Sequence, residues 1–184
     1  GYTGERYLER LAQARAAIGD LAVSTDIIVG FPGETDDDFE RTLEVAAAAE
    51  YDYAYTFIFS PREGTEAAAM EADFVDPAVS SERFERLRVV VERSAIAKHQ
   101  ARVGRIEEVL VEGPSKKDPD VLSGRTRQNK LVHFAAPSGL ERRLRTGSYA
   151  TVEVTSAAPH HLIGEFVEHI ADAQHTVRIP VASL

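Results

Sequence analysis

The chain has 184 residues, a net charge of −9, and ordinary globular proportions of apolar (43%) and charged (28%) side chains, enough for one large domain or two small ones. It contains no cysteine, which excludes disulfides, thiolate nucleophiles, zinc–thiolate sites and thiolate-held iron–sulfur clusters within these residues. No stretch nears the roughly 20 apolar residues of a membrane span, and the opening GYTGERYLER has no apolar secretory core, so no membrane association and a cytoplasmic location are expected.

The first expected element is a helix over residues 4–18. Tyr7, Leu8, Leu11, Ala14 and Ile18 recur at helical spacing, Thr3 can cap the start and Gly19 can stop the end. The β-branched run at 23–29 reads as a strand covered on both faces. It ends in the turn GFPGET, after which Thr35 and Asp38 form a near capping box for a helix carrying Phe39, Leu43, Val45 and alanines 46–49. YAYTFIF, residues 53–59, is a second strand. A strand–helix–strand unit with about 30 residues between strand starts favours a parallel pair with a right-handed crossover. A loop beginning SPREGT follows, and then a long helix over 82–102 with Ser80 or Ser81 as its cap and Phe84, Leu87, Val91, Ala95 and Ile96 on its apolar face.

Past Gly104 the helical period disappears. IEEVLVEG, VLSGRT, KLVHF, YATVEVTSA and LIGEFV alternate with turn residues, which points to a small closed or nearly closed five-stranded barrel. RQNK, residues 127–130, reads as a hairpin turn in which Asn129 takes a left-handed backbone. The expected fold class is therefore α/β followed by all-β, with domains at 1–103 and 104–170 and a tail at 171–184. Two parallel strands cannot complete a sheet by themselves, so the chain reads as the back part of a longer protein.

Charge divides along the same line. Residues 1–106 hold 12 Lys and Arg against 20 Asp and Glu, while residues 107–170 hold 8 against 9. Within the second block, residues 113–146 form a basic island of net +5. Such asymmetry suggests two units with different partners, the second a polyanion.

Two candidate sites follow. The Gly30-Phe31-Pro32-Gly33-Glu34 turn lies at the carboxyl end of a parallel strand, where α/β sheets bind ligands, and SPREGT, with Ser60 and Arg62, ends the next strand on the same rim. The turn has no Lys, and Glu34 with Asp36, Asp37 and Asp38 would repel phosphate, so a cationic or zwitterionic small molecule suits it. The alternative is a well-capped turn without a ligand. Asp26, inside the apolar run, either points into a polar site or reaches solvent. In the basic island, Lys116, Lys117, Arg125, Arg127, Asn129 and Lys130 are suited to gripping phosphates, and Phe134 either stacks a base or fills the barrel core. A solvated basic face is the alternative. The histidines are scattered or adjacent (His160, His161), do not have metal-ligand spacing, and carry no assigned role.

STDIIVGFPGETDDDFERTLEV followed by YTFIFSPREGTEAA resembles the late part of the radical S-adenosylmethionine domain of methylthiotransferases. LVEGPSKKDPDVLSGRTRQNKLVHF, then GSYATVEVTSAAPHHLIGEFV, resembles the TRAM domain that ends those enzymes. The basic string favours the tRNA-modifying branch over the branch acting on a ribosomal-protein aspartate. The resemblance covers about residues 1–170 and implies the last strand–helix units of a partial (β/α) barrel followed by a TRAM barrel. It implies S-adenosylmethionine against Asp26, Gly30, Phe31, Pro32, Gly33, Glu34, Ser60 and Arg62, and two 4Fe-4S clusters bound by cysteines outside this chain. It further implies the anticodon stem-loop of tRNA as the partner of the basic residues, a reductant protein for the intact enzyme, and a methylthio group placed on C2 of isopentenyladenosine. This cysteine-free chain alone is then expected to be inactive. Readings from other classes are a stand-alone RNA-binding module and a scaffold that binds a protein through its open sheet edge.

Overall fold

The computed structural model describes residues 3–140 and 142–174; of the expected tail at 171–184, residues 175–184 lie outside the described part. The chain forms two compact units, one up to Lys98 and one from His99 onward.

In the first unit α1 (Gly4–Ala17) starts where expected, with the Thr3 hydroxyl accepting from the Arg6 N–H at 3.3 Å. Its end differs from expectation. Ile18, in extended backbone, closes the helix through its N–H to the Ala14 carbonyl, and the left-handed residue is Asp20 rather than Gly19. Strands β1 (Ser24–Val29) and β2 (Tyr53–Ile58) flank α2 (Asp36–Ala49) and pair in parallel, from Ser24 opposite Tyr53 to Val29 opposite Ile58. The capping box at the start of α2 is complete: Thr35 accepts from the Asp38 N–H, and Asp38 accepts from the Thr35 N–H. Helix α3 (Pro77–Gln100) begins earlier than expected, because Asp76 is its cap (Oδ1 to the Ala78 N–H, 2.7 Å) and proline suits a first helical position. Ser80 is therefore buried inside the helix instead of capping it.

The strand pair is not covered on both faces. Ile27, Val29 and Ala54 join Leu11, Phe39, Ala46, Ala49, Tyr51, Leu87 and Val91 in a core shared with the three helices. The opposite face, formed by Ser24, Asp26 and Ile28 beside Tyr53, Tyr55 and Phe57, carries no helix among the described residues, and its four large apolar side chains are each about half exposed. The apolar run satisfies a strand in either situation, so hydrophobicity alone did not reveal the open side.

The second unit is a closed barrel of five strands in the order β3-β4-β5-β7-β6. These are β3 (Ile106–Pro114), β4 (Val121–Thr126), β5 (Leu131–Ala135), β6 (Tyr149–Ala157) and β7 (Leu162–Ala171). All neighbours are antiparallel except β5 and β7. Alternation fills the interior with Val109, Val111, Leu122, Val132, Phe134, Ala150, Val152, Val154 and Leu162, and Leu144 joins them from the link between β5 and β6. Asn129 takes the left-handed backbone (φ 58°) of the β4–β5 turn.

Closure brings backbones close at two glycines. A Cβ on Gly124 would lie 2.6 Å from the Leu110 carbonyl oxygen, and one on Gly164 only 2.4 Å from that of Glu153. Gly164→Ala is expected to cost the barrel about 1–3 kcal/mol by overpacking, and Phe134→Ala about 3–5 kcal/mol by leaving a cavity. Ile163→Ala, on the exposed side of β7, should stay within about 0.5 kcal/mol. Chemical denaturation of the three variants measures this order.

Candidate functional sites

The rim of the first unit is built around Arg83 of α3, which the sequence reading did not single out. Its side chain is 6% exposed and reaches the Glu34 carboxylate at 2.7 Å, the Glu34 carbonyl at 3.1 Å and the Asp36 carboxylate at 2.6 Å. Its guanidinium also lies over the Phe39 ring, 5.5 Å from the centroid. Burial works against the Arg83 charge, but the hydrogen bonds and charges of Asp36 and Glu34 outweigh it and hold its pKa above the ordinary arginine value. Glu34 in turn accepts from the Gly30 N–H at 2.9 Å. The acidic cluster expected to face a cationic ligand is thus largely engaged within the protein: Glu34 and Asp36 hold Arg83, and hydrogen bonds from Thr35 keep the Asp38 carboxyl below the usual carboxylate range.

Gly30 has a different role from the one expected of it. It sits at φ 70°, and the space a side chain would need is filled by Ser80, whose Oγ and Cβ would lie 2.4 and 2.9 Å from an added Cβ. The glycine lets the turn pack on α3 rather than leaving room for a ligand. Gly33 (φ 82°) does face open space, and its N–H donates to the Asp73 carbonyl at 2.8 Å. Pro32 is buried, and Phe31 is exposed with its ring edge-on to Phe59 (centroids 5.2 Å apart), which is edge-on to Phe74 (5.7 Å). The Phe59 N–H donates to the Val29 carbonyl, which sets exposed Ser60 beside the turn; Arg62 is exposed in the bend that follows. Asp26 projects onto the uncovered sheet face beside Tyr55 rather than onto the rim.

On the barrel, strand phase sorts the basic island. Lys116 and Lys117 are exposed in the β3–β4 link. Arg125 faces outward, its Nη1 donating to the Asn129 carbonyl at 3.1 Å and its Nε 3.5 Å from Glu112. Arg127 is exposed and donates to Glu108 at 2.9 Å, which raises its pKa. Two candidates fall inward. Lys130 is 4% exposed and Phe134 2%, so neither is presented to RNA: Phe134 fills the core, and Lys130, just before β5, keeps the inward phase of Val132 and Phe134.

The reading also missed a buried Arg102–Glu107 pair (3.0 Å) and a polar cluster on the outer face of the barrel. There Ser123 and His133 are cross-strand partners, with Ser123 Oγ 3.0 Å from His133 Nδ1, and the His161 ring lies edge-on to that of His133, centroids 5.0 Å apart. Alternation in VLSGRT and KLVHF was enough to place Ser123 and His133 on one face; nothing local pointed to His161.

Removing Arg83 leaves Glu34 with a buried and uncompensated charge. Arg83→Ala should cost about 3–5 kcal/mol, whereas Arg86→Ala, which breaks only the exposed pair with Glu40, should cost about 0–1 kcal/mol. Urea unfolding of both variants tests the contrast.

Residues 100–167 match the TRAM domain. Over nearly its whole length the chain is similar to proteins named tRNA-2-methylthio-N(6)-dimethylallyladenosine synthase. The one from Geobacillus kaustophilus is 48% identical across 97% of this chain and 32% of its own length, and the one from Geobacillus thermodenitrificans 51% across 89% and 30%. The one from Moorella thermoacetica is 48% identical across 91% and 36%. The chain thus spans about a third of the length of the curated relatives it matches.

Proposed function

We infer that this chain, which corresponds to the carboxyl-terminal part of a tRNA methylthiotransferase and carries its TRAM domain, holds tRNA and supplies one wall of the cofactor pocket in a longer enzyme. The observation that carries this reading is the identity to the synthases along 97% of the chain, on both sides of the boundary between its two units. The reaction of the whole protein is then transfer of a methylthio group to C2 of isopentenyladenosine beside the anticodon, with a reductant protein as electron donor, in the cytoplasm. The described residues include no helix long and apolar enough to cross a membrane.

In this reading the open face of β1 and β2, with Asp26 among Ile28, Tyr53, Tyr55 and Phe57, belongs to a larger (β/α) arrangement. S-adenosylmethionine fits the rim through features that remain available there, namely the exposed ring of Phe31, the open backbone at Gly33 and the exposed Ser60 and Arg62, while Asp26 would meet it only from the neighbouring open sheet face. When bound, it supplies a sulfonium that one-electron reduction can cleave. Gly30, Pro32, Glu34 and Arg83 shape the turn that presents Phe31 and Gly33. Iron–sulfur clusters do not fit: the chain has no cysteine, and no group of three or more potential metal ligands occurs among the described residues. The two 4Fe-4S clusters of the intact enzyme would lie outside this chain, which is inactive alone.

The RNA contacts would come from Lys116 and Lys117, with Arg125 and Arg127 joining once RNA competes for their carboxylate partners. The test is binding of an anticodon stem-loop to the 184-residue chain over a range of salt. The expected log–log salt slope is negative, and in Lys116→Ala/Lys117→Ala it should be shallower by about 0.7–0.9 per lost phosphate contact. Salt-insensitive binding, or a slope unchanged in the double variant, would leave these lysines as a solvated surface. For the rim, Phe31→Ala in the longer protein should weaken S-adenosylmethionine binding by about 2- to 10-fold, as measured by calorimetry.

A further inference from the structure

The cluster on the outer face of the barrel has no part in the functions assigned so far. Ser123 on β4 and His133 on β5 face one another across the ladder, and the 3.0 Å contact between Oγ and Nδ1 fixes the orientation of the imidazole. His161 reaches the same place from the other side, because β5 and β7 run parallel and the pairing of His133 with Ile163 brings the start of β7 beside β5. His133 is half-buried. The charged groups that act on it are His161 and Lys117 of the β3–β4 link, both basic.

We propose that Ser123, His133, His161 and Lys117 form a phosphodiester-binding subsite of the barrel, and that RNA binding there is coupled to uptake of a proton. The proposal rests on the RNA-holding reading above and narrows it to one place and one linkage.

The argument starts from charge. Burial first, and then His161 and Lys117, hold the His133 pKa below the ordinary histidine value; only a hydrogen bond with the Leu122 backbone works in the other direction. In the free chain the ring is therefore held neutral in the range where an ordinary histidine begins to charge. The surrounding elements offer little counter-charge. Arg125, the next outward residue on β4, is occupied by Glu112 and the Asn129 carbonyl. Asp118 and Asp120 stand exposed in the link that carries Lys117, with the Asp118 carboxylate accepting from the Asp120 N–H. His160 adjoins His161, and Glu165 is the next outward residue after Ile163 on β7.

A phosphate oxygen placed among these groups would supply the missing negative charge. It accepts from the Lys117 ammonium and from an imidazolium, and it removes the repulsion that otherwise keeps His133 neutral. A stacked base would meet the ring faces but bring no negative charge to His133 and Lys117. The sign of the linkage follows. Because the bound state holds the proton more tightly, affinity rises as pH falls through the pKa of the complex and levels off below the pKa of the free chain.

The 184-residue chain would be titrated with an anticodon stem-loop at constant ionic strength between pH 5.5 and 8.5, beside His133→Gln and His161→Gln. For one linked proton, wild-type affinity is expected to rise by up to about tenfold per pH unit at its steepest. In His133→Gln, which keeps a hydrogen-bonding side chain but cannot charge, the profile should be flatter while the affinity at high pH is retained. Histidine NMR on the unmodified chain gives a second readout: His133 should titrate at higher pH with RNA than without it. If RNA binds, and the His133 titration does not move and the variants keep the wild-type profile, the subsite is overturned and the RNA reading stands. If no RNA binds at any pH, both are overturned.

Discussion

The five-stranded sheet closes on itself with neighbouring backbones in two places nearer than a side chain permits, at Gly124 against the Leu110 carbonyl and at Gly164 against that of Glu153. Much of the second unit depends on this closure. With β3 paired to both β4 and β6, no edge is left for unwanted pairing, and the interior is narrow enough to be filled by valines, Leu122, Leu162 and Phe134. Every second residue must then face outward. That parity, rather than the number of basic residues, decides which side chains of the region reach the surface: Arg125 and His133 are turned out, Lys130 and Phe134 are turned in.

The first unit uses charge in a different way. Its acidic segment after the Gly-Pro-Gly turn contributes to stability before it contributes to recognition, because Glu34 links the Gly30 N–H to Arg83 and Asp36 adds a second carboxylate to the same guanidinium. A buried pair of this kind adds little net stability over a well-packed apolar substitute, but it fixes geometry and is costly to break by halves. The rim is left with a smaller set of groups able to meet a ligand: an aromatic ring, an open glycine and exposed polar side chains.

Much of this architecture was legible in local sequence. The capping box of Thr35 and Asp38, the cap of α1, the parallel strand pair and the five barrel segments with the Asn129 turn all rest on signals within a few residues. What was not legible depends on partners distant in sequence. Arg83 engages Glu34 across 49 positions, and no pattern around either residue announces the pair. Ser80 looked like a cap because the packing that buries it comes from Gly30. The open face of β1 has the same apolar run as a doubly covered strand would. Lys130 was misread because it stands in the hairpin region yet keeps the inward phase of Val132 and Phe134, and His161 was missed because only the parallel pairing of β5 and β7 brings it to His133.

That parallel pair also bears on how the barrel folds. Hairpins β3–β4 and β4–β5 can form from neighbouring chain, but β5 has to wait for β7, and β3 closes on β6 through pairs such as Ile106 with Glu153. Contacts of such long sequence separation carry their loop-closure entropy before they return any stabilisation, which places folding in the millisecond-to-second class typical of small β-barrels. During synthesis the helices and strands of the first unit are all present by Gln100, whereas the barrel remains an open sheet with exposed edges until β7 has emerged. Closure of the barrel is therefore among the last folding events along this chain, and a ribosome stalled within β6 would hold the α/β unit attached to a sheet that cannot yet close.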